Sequence, residues 1–102
     1  MSTKRIGTTG YYIMLLLYKF GELDFSSIRI LLKKRTTSKA IVLFLQRHPE
    51  LIKKRKLGFY NRYSLTDQGK RLFETEFLKD ESTRMHLQML EKEGWSKWSQ
   101  SL

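Results

Sequence analysis

Residues 21–69 read GELDFSSIRILLKKRTTSKAIVLFLQRHPELIKKRKLGFYNRYSLTDQG, and this stretch decides the predicted fold. It contains two short helical patterns, a basic strand, a Gly-aromatic turn, a second basic strand and the start of a further helix, in that order. A helix pair followed by a positively charged hairpin is an arrangement suited to binding DNA. We therefore predict an α+β, mostly helical domain that carries a two-stranded β-hairpin.

The helical patterns have recognisable limits. The first covers about residues 27–33, where the apolar residues recur at helical spacing. The second starts after the capping residue Thr36 or Thr37 and runs to about residue 48. Pro49 ends it, because proline lacks the backbone N–H that the helix needs.

The hairpin is predicted from two strand patterns around a turn. The strands cover residues 51–57 and 62–65, and the turn covers residues 58–61. Gly58 and Asn61 are the residues expected to adopt a positive φ in that turn. A further helix follows to about residue 78, with an acidic first turn that suits the helix dipole.

The flanking segments complete the predicted organisation. Residues 1–9 are expected to be a flexible basic arm, and residues 10–80 the folded domain, which opens with a buried helix. Residues 81–102 form a C-terminal helical extension, with a helix that Gly94 is expected to stop. Its apolar residues would be exposed in a monomer, which makes the extension a candidate dimerisation element. Its apolar side consists of Met85, Leu87, Met89 and Leu90, of which Met85, Met89 and Leu90 are expected to be exposed.

The positive charge of the chain is large and unevenly placed. The net charge is +10 in 102 residues, and such a chain attracts polyanions, either nucleic acid or an anionic membrane surface. Fourteen of the twenty Lys and Arg residues precede Thr66, against three acidic residues there. A polyanion-binding face is therefore expected in the first two thirds of the chain. The absence of cysteine excludes disulfides and thiolate metal sites.

Three groups of side chains are the predicted DNA contacts. An α-helix fits the major groove, and side chains on its N-terminal turns reach base edges. The base-reading group on the second helix is Thr36, Thr37, Ser38, Lys39, Val42 and Gln46. The hairpin group is Lys53, Lys54, Arg55, Lys56, Phe59, Tyr60, Asn61 and Arg62. A group expected to hold the phosphate backbone is Lys33, Lys34 and Arg35. The alternative interpretation of the charge runs is a solvated face, and Phe59 and Tyr60 have packing against the domain as their alternative.

Two short strings in this stretch carry a resemblance to a known family. GELDFSSI at 21–28 resembles the lead-in to the second helix of multidrug-resistance-type and arsenic-type repressors. YSLTDQG at 63–69 resembles the Tyr-x-Leu-Thr-x-x-Gly pattern at the exit of their wing. The order of elements over about 10–80 is similar to the winged helix-turn-helix of prokaryotic transcription regulators. The small size and high charge are similar to compact winged-helix regulators of archaea and their viruses. The resemblance implies a third helix in the major groove and a hairpin wing on the DNA backbone or in the minor groove.

The functional expectation is a sequence-specific, double-stranded DNA-binding transcription regulator, a homodimeric repressor that reads a palindrome. The alternatives are a non-specific architectural DNA-binding protein and a winged-helix protein-interaction module. We expect no enzyme, because the sequence holds no nucleophile–base pair, metal-ligand set or phosphate loop, and His48 and His86 are isolated. We therefore expect no cofactor and no bound metal. The longest apolar run, residues 11–18, is too short to span a bilayer. A cytoplasmic location is expected, which is the host cytoplasm for a viral protein.

Overall fold

The computed structural model describes the backbone of residues 6–100 and the side chains of residues 6–90. Within these residues helices dominate and three strands form one sheet, so the predicted α+β, mostly helical class is confirmed. The elements are α1 (Gly7–Phe20), β1 (Glu22–Asp24), α2 (Phe25–Leu31), α3 (Ser38–Arg47), β2 (Ile52–Leu57), β3 (Tyr60–Leu65), α4 (Asp67–Leu72) with a π-helical continuation (Phe73–Phe77), and α5 (Glu81–Gln100).

Helix α1 lies at the centre of the core. Its residues 13–17 are five consecutive apolar side chains that are at most 2% exposed, because α3, β3 and α5 all pack against it. The helix ends at Gly21, whose φ of +86° is readily adopted by glycine and whose N–H donates to the Leu17 carbonyl. The predicted buried helix is confirmed.

The predicted flexible arm over residues 1–9 is wrong for its last four residues. Helix α1 already begins there, and Ile6 is 5% exposed and belongs to the core. Ile6 packs closely because Gly10 has no side chain, and a Cβ at that position would overlap both Ile6 and Phe44. Ile6 is the apolar residue that fixes the start of α1, because it packs where α1 and Phe44 of α3 approach each other, although its sequence neighbours are small and polar. Residues 1–5 lie outside the described residues.

Side-chain caps begin both helices of the predicted pair. The Asp24 carboxylate accepts a hydrogen bond of 2.9 Å from the Ser27 N–H at the start of α2. The Thr37 hydroxyl accepts one of 3.1 Å from the Ala40 N–H at the start of α3. Helix α3 ends before Pro49, as predicted, and α2 begins two residues earlier than expected.

The sheet adds β1 to the two strands of the predicted hairpin, at the short alternating run of residues 22–25 that also predicts a strand. Its strands are antiparallel in the order β1-β3-β2, so that β1 adds to the outer edge of β3. The turn between β2 and β3 is also shorter than expected, because Leu57 pairs with Tyr60 and leaves only Gly58 and Phe59 between the strands. Gly58 has a φ of +63°, as predicted. The prediction for Asn61 is wrong, since it lies inside β3 without a positive φ.

Thr66 ties the base of the hairpin to α4. Its hydroxyl donates a hydrogen bond of 2.6 Å to the Glu50 carbonyl and accepts one of 3.0 Å from the Gly69 N–H. Its own N–H donates to the Leu51 carbonyl at 2.9 Å. Gly69 in turn lies against that same Leu51 carbonyl, which leaves no room for a Cβ. The Leu-Thr-x-x-Gly string therefore has a physical basis: it caps α4 and holds the helix close to the start of β2.

The C-terminal helix differs from its prediction in two ways. Helix α5 continues through Gly94, because a glycine inside a helix costs only about 1 kcal/mol and does not forbid it. Its apolar side is not left free either, since Leu90 is 3% exposed and Leu87 and Met89 pack against the core. Met85 is the large hydrophobic side chain of the described part of α5 that stays exposed, at 58%. In the described part of the chain, none of the helices has both the length and the apolar character needed to cross a membrane.

A small polar cluster joins α1 to α5 inside this contact. The Tyr11 hydroxyl lies 3.0 Å from the Thr83 hydroxyl and 3.0 Å from Nδ1 of His86. Thr83 is 1% exposed, so these bonds replace those that water would make. Burial lowers the pKa of His86, and the nearby charge of Arg35 lowers it further. The imidazole is therefore held in its neutral form.

Acidification should weaken the fold through His86. Because folding lowers the pKa of this group, the unfolded chain binds more protons between the folded-state pKa and about 6.5. The free energy of unfolding should therefore fall as the pH drops through that interval and level off below it. Urea unfolding between about pH 7.5 and pH 5 measures this. The His86→Gln variant should lose this part of the pH dependence, whereas His48→Gln should keep it. An identical pH dependence in wild type and His86→Gln would contradict the assignment.

Candidate nucleic-acid interface

The exposed face of α3 carries most of the side chains predicted to read bases. The helix buries Ile41 and Phe44 against the core, which turns the opposite face to solvent. Positions 39, 42 and 46 share that face because they are three and four residues apart. The predicted base-reading residues that are exposed are Thr37, Ser38, Lys39, Val42 and Gln46.

Arg35 does not join the other two cations of its predicted group. Lys33 and Lys34 are exposed, whereas the Arg35 guanidinium lies over the Tyr12 ring at 5.2 Å from its centroid. Its charge also acts on His86, so the side chain is directed toward α1 and α5. A cation over an aromatic face is electrostatically favourable, which explains this placement. The sequence alone carries no signal for it, because Tyr12 is remote from Arg35 along the chain.

Thr36 is also held by α1. Arg29 is a further cation beside the N-terminus of α3, which the sequence did not predict as a contact. The Thr36 hydroxyl lies 2.7 Å from the Thr9 hydroxyl. Arg29 is exposed on α2, and Lys33 is exposed in the turn that follows this helix. Both cations border a groove of about 450 Å³ beside the N-terminus of α3. The residues lining it are Arg29, Ile30, Lys33, Thr36, Thr37 and Ser38.

The register of the hairpin sorts its side chains onto two faces. Antiparallel partners point to the same side of a sheet, and Arg55 pairs with Arg62 while Lys54 pairs with Tyr63. One face carries Lys53, Arg55, Arg62 and Ser64. The other, which continues from the buried Ile52 and Leu65, carries Lys54, Lys56, Asn61 and Tyr63. Of the predicted hairpin contacts, Arg62 is partly exposed and the other seven are exposed.

A groove of about 700 Å³ lies between the exposed face of α3 and the second of these hairpin faces. Val42 and Gln46 line it from the helix, and Lys54 and Asn61 line it from the hairpin. Its apolar floor includes Phe25, Leu45, Ile52 and Tyr63, and no acidic residue lines it. The fold therefore brings the predicted base-reading helix and part of the predicted hairpin group to one surface.

The first hairpin face is partly neutralised by β1. The Arg55 guanidinium donates two hydrogen bonds to the Glu22 carboxylate, from Nε at 3.0 Å and from Nη2 at 2.7 Å. Arg62 approaches the same carboxylate at 3.8 Å. The hydrogen bonds from Arg55 lower the pKa of Glu22, so this carboxylate stays charged at neutral pH. Arg55 is therefore already occupied by an anion within the free protein.

Neutralising Glu22 should strengthen the attraction of this face for a polyanion. In the Glu22→Gln variant, Arg55 and Arg62 no longer face a negative charge, so duplex DNA should bind more tightly at low salt. The slope of log affinity against log salt should steepen by about 0.9 for each phosphate newly neutralised. A salt titration of duplex binding measures both effects. The control is Glu81→Gln, which makes the same charge change at an exposed position of α5 and should leave the slope unchanged. Equal slopes in wild type and Glu22→Gln would contradict this role.

The described residues hold no cluster of three or more His, Asp or Glu side chains that would bind a metal ion. Comparison of the sequence with protein-family models gives no match, and comparison with curated proteins gives none either.

Proposed function

We propose that the protein is a winged helix-turn-helix regulator that binds double-stranded DNA in a sequence-specific manner. In this proposal α2 and α3 are the helix-turn-helix, α3 enters the major groove, and the β2–β3 hairpin is the wing. The observation that carries it is the shared groove: the exposed face of α3 and one face of the hairpin border it without an acidic residue. A DNA strand that passes along this groove would meet both elements at once.

The side chains of α3 support base readout as well as charge attraction. Lys39 can donate to the major-groove acceptors of guanine, and Gln46 can pair with adenine through two hydrogen bonds. Val42 lies between them on the same face and is 36% exposed, which suits contact with a thymine methyl group. A purely architectural protein needs only phosphate contacts, so this mixed face favours sequence-specific binding over that alternative.

We further propose that the protein acts as a homodimer on a palindrome, with α5 as the dimerisation element. Helix α5 has 20 residues, whose length of about 30 Å equals the middle dimension of the whole fold, 33 × 30 × 21 Å. Its first half is bonded to α1 through the Thr83 and Tyr11 hydroxyls, and Met85 in the same half is 58% exposed, so that a partner can cover it. Two copies would then present two α3 helices to successive major grooves, with half-sites about one helical turn apart. Repression by occupying a promoter is the simplest consequence.

Selection of binding sequences from random duplex DNA at two salt concentrations tests the proposal. The expected result is a palindrome whose preference over random duplex persists at the higher salt, together with a dimeric mass in light scattering. A specificity ratio near one would support the architectural alternative and overturn sequence-specific regulation. Negligible duplex binding even at low salt would overturn DNA binding altogether and favour the protein-interaction module.

A further inference from the structure

The tip of the β2–β3 hairpin presents three large apolar side chains to solvent. Phe59 is fully exposed at 102%, Tyr60 is 66% exposed, and Leu57 is 49% exposed. Single exposed hydrophobic residues are common on protein surfaces, but these three are adjacent, since Leu57 and Tyr60 are cross-strand partners on either side of the turn. None of the three belongs to the core or packs against it.

The backbone holds this tip in a defined position. The turn has two residues, with Gly58 at a φ of +63° and Phe59 without a positive φ. This is the pattern of a type II′ turn, whose twist matches that of the paired strands. Pairing continues to the last residue of β2, and every residue after Ile52 is exposed in that strand. Strand β1 flanks β3 only as far as Arg62, which pairs with Arg55, so the hairpin extends past the third strand by about 7 Å, at about 3.3 Å for each of the two residues of β2 that follow Arg55.

The charge of the strands indicates what the tip would meet. No acidic residue occurs between Ile52 and Leu65. The strands carry the cations Lys53, Lys54, Lys56 and Arg62, together with Arg55, which Glu22 already engages. An apolar tip at the end of two positively charged strands is complementary to the DNA minor groove, where two rows of phosphates flank a floor of stacked base pairs. The minor groove of B-DNA is only about 6 Å wide, so an aromatic ring that enters it has to part the base step below.

We infer that Phe59 is a wedge that inserts between two base pairs from the minor groove and bends the duplex. This inference rests on the proposed function, since it assigns the hairpin of the same interface a second activity. Apolar side chains that unstack a base step in this way bend DNA by about 20–90° toward the major groove. Flexible pyrimidine–purine steps such as TA are the expected insertion points, because they unstack most readily. The protein would then shape the DNA as well as read it.

Energy transfer between dyes on the two ends of a selected duplex of about 30 base pairs measures the bend. Wild-type protein should shorten the end-to-end distance. The Phe59→Ala variant should leave the distance close to that of free duplex and should bind about tenfold more weakly, which corresponds to the loss of one aromatic–base stacking contact. Phe59→Leu keeps an apolar wedge and should retain most of the bend. Phe20→Ala is the matched control, because it truncates another exposed phenylalanine, outside both the hairpin and α5, and should change neither quantity.

The outcomes separate the wedge from the proposed function. A Phe59→Ala complex that bends as strongly as wild type, or a wild-type complex that binds its selected sequence without bending, would overturn the wedge and leave sequence-specific binding intact. Absence of duplex binding in the wild type would overturn both. Phe59-dependent binding to vesicles of anionic phospholipid, without bending of DNA, would reassign the tip to a membrane surface and equally overturn the wedge. Because Phe59 makes no core contact, thermal unfolding of Phe59→Ala should match the wild type.

Discussion

Replacing both Lys39 and Gln46 by alanine should lower the affinity for a selected duplex about 100-fold, and the affinity for random duplex only a few-fold. Each good contact to a base edge contributes about 1–3 kcal/mol of discrimination, and the two side chains lie about two helical turns apart on the exposed face of α3. Random duplex mainly senses charge, and the double variant removes only one positive charge. Competition binding with selected and random duplex in the same buffer measures the ratio.

A matched control makes this loss interpretable. The Lys79→Ala, Gln88→Ala double variant removes the same two side-chain types at exposed positions outside the interface. It should retain the wild-type preference for the selected duplex. If instead the Lys39 and Gln46 variant keeps its full preference, α3 is not the base-reading element. The single Gln46→Ala change should relax the preference at one base pair of each half-site and leave the others intact.

Substituting Gly69 by alanine should lower the free energy of unfolding by about 3 kcal/mol. On helix propensity alone the change would stabilise α4 by up to about 1 kcal/mol, so the two effects have opposite signs. The destabilising overlap is the larger effect, because the added Cβ would meet the Leu51 carbonyl, which is backbone and cannot move aside as the end of a side chain can. That carbonyl also accepts the Thr66 N–H at 2.9 Å, so a shift would strain the tie between the hairpin and α4.

Urea unfolding of the Gly69→Ala protein measures this change, with Gln68→Ala as the control. Gln68 is the exposed neighbour in the same helix, and its replacement should alter the free energy of unfolding by no more than about 0.5 kcal/mol. A Gly69→Ala protein as stable as the wild type would mean that β2 and α4 are less closely packed than described. Because the same contact sets where the hairpin leaves the body, the variant should also bind DNA more weakly than its folded fraction accounts for.

Local signals predicted the helix pair well. Thr37 marks the start of α3 and Pro49 marks its end, because a capping hydroxyl and a missing N–H act within one turn of the helix. The strand pattern at residues 62–65 predicted part of β3, which the structure extends to Tyr60–Leu65. Local signals failed at Ile6 and Leu90, where the deciding partner is distant in sequence. Ile6 is ordered by a close approach of α1 to Phe44, and Leu90 is covered by the core rather than by a partner helix.

The sequence by itself determined the class of the fold, the limits of α3, the basic character of the hairpin and the place of its turn. These features depend on caps, proline, strand alternation and charge, which act between residues close along the chain. Only the tertiary structure decided which cations stay available at the candidate interface. Arg55 meets Glu22 across the sheet, Arg35 turns to Tyr12, and Lys54 comes to share a groove with Gln46. Each of these pairings joins side chains that only folding brings together, so no local pattern in the sequence encodes them.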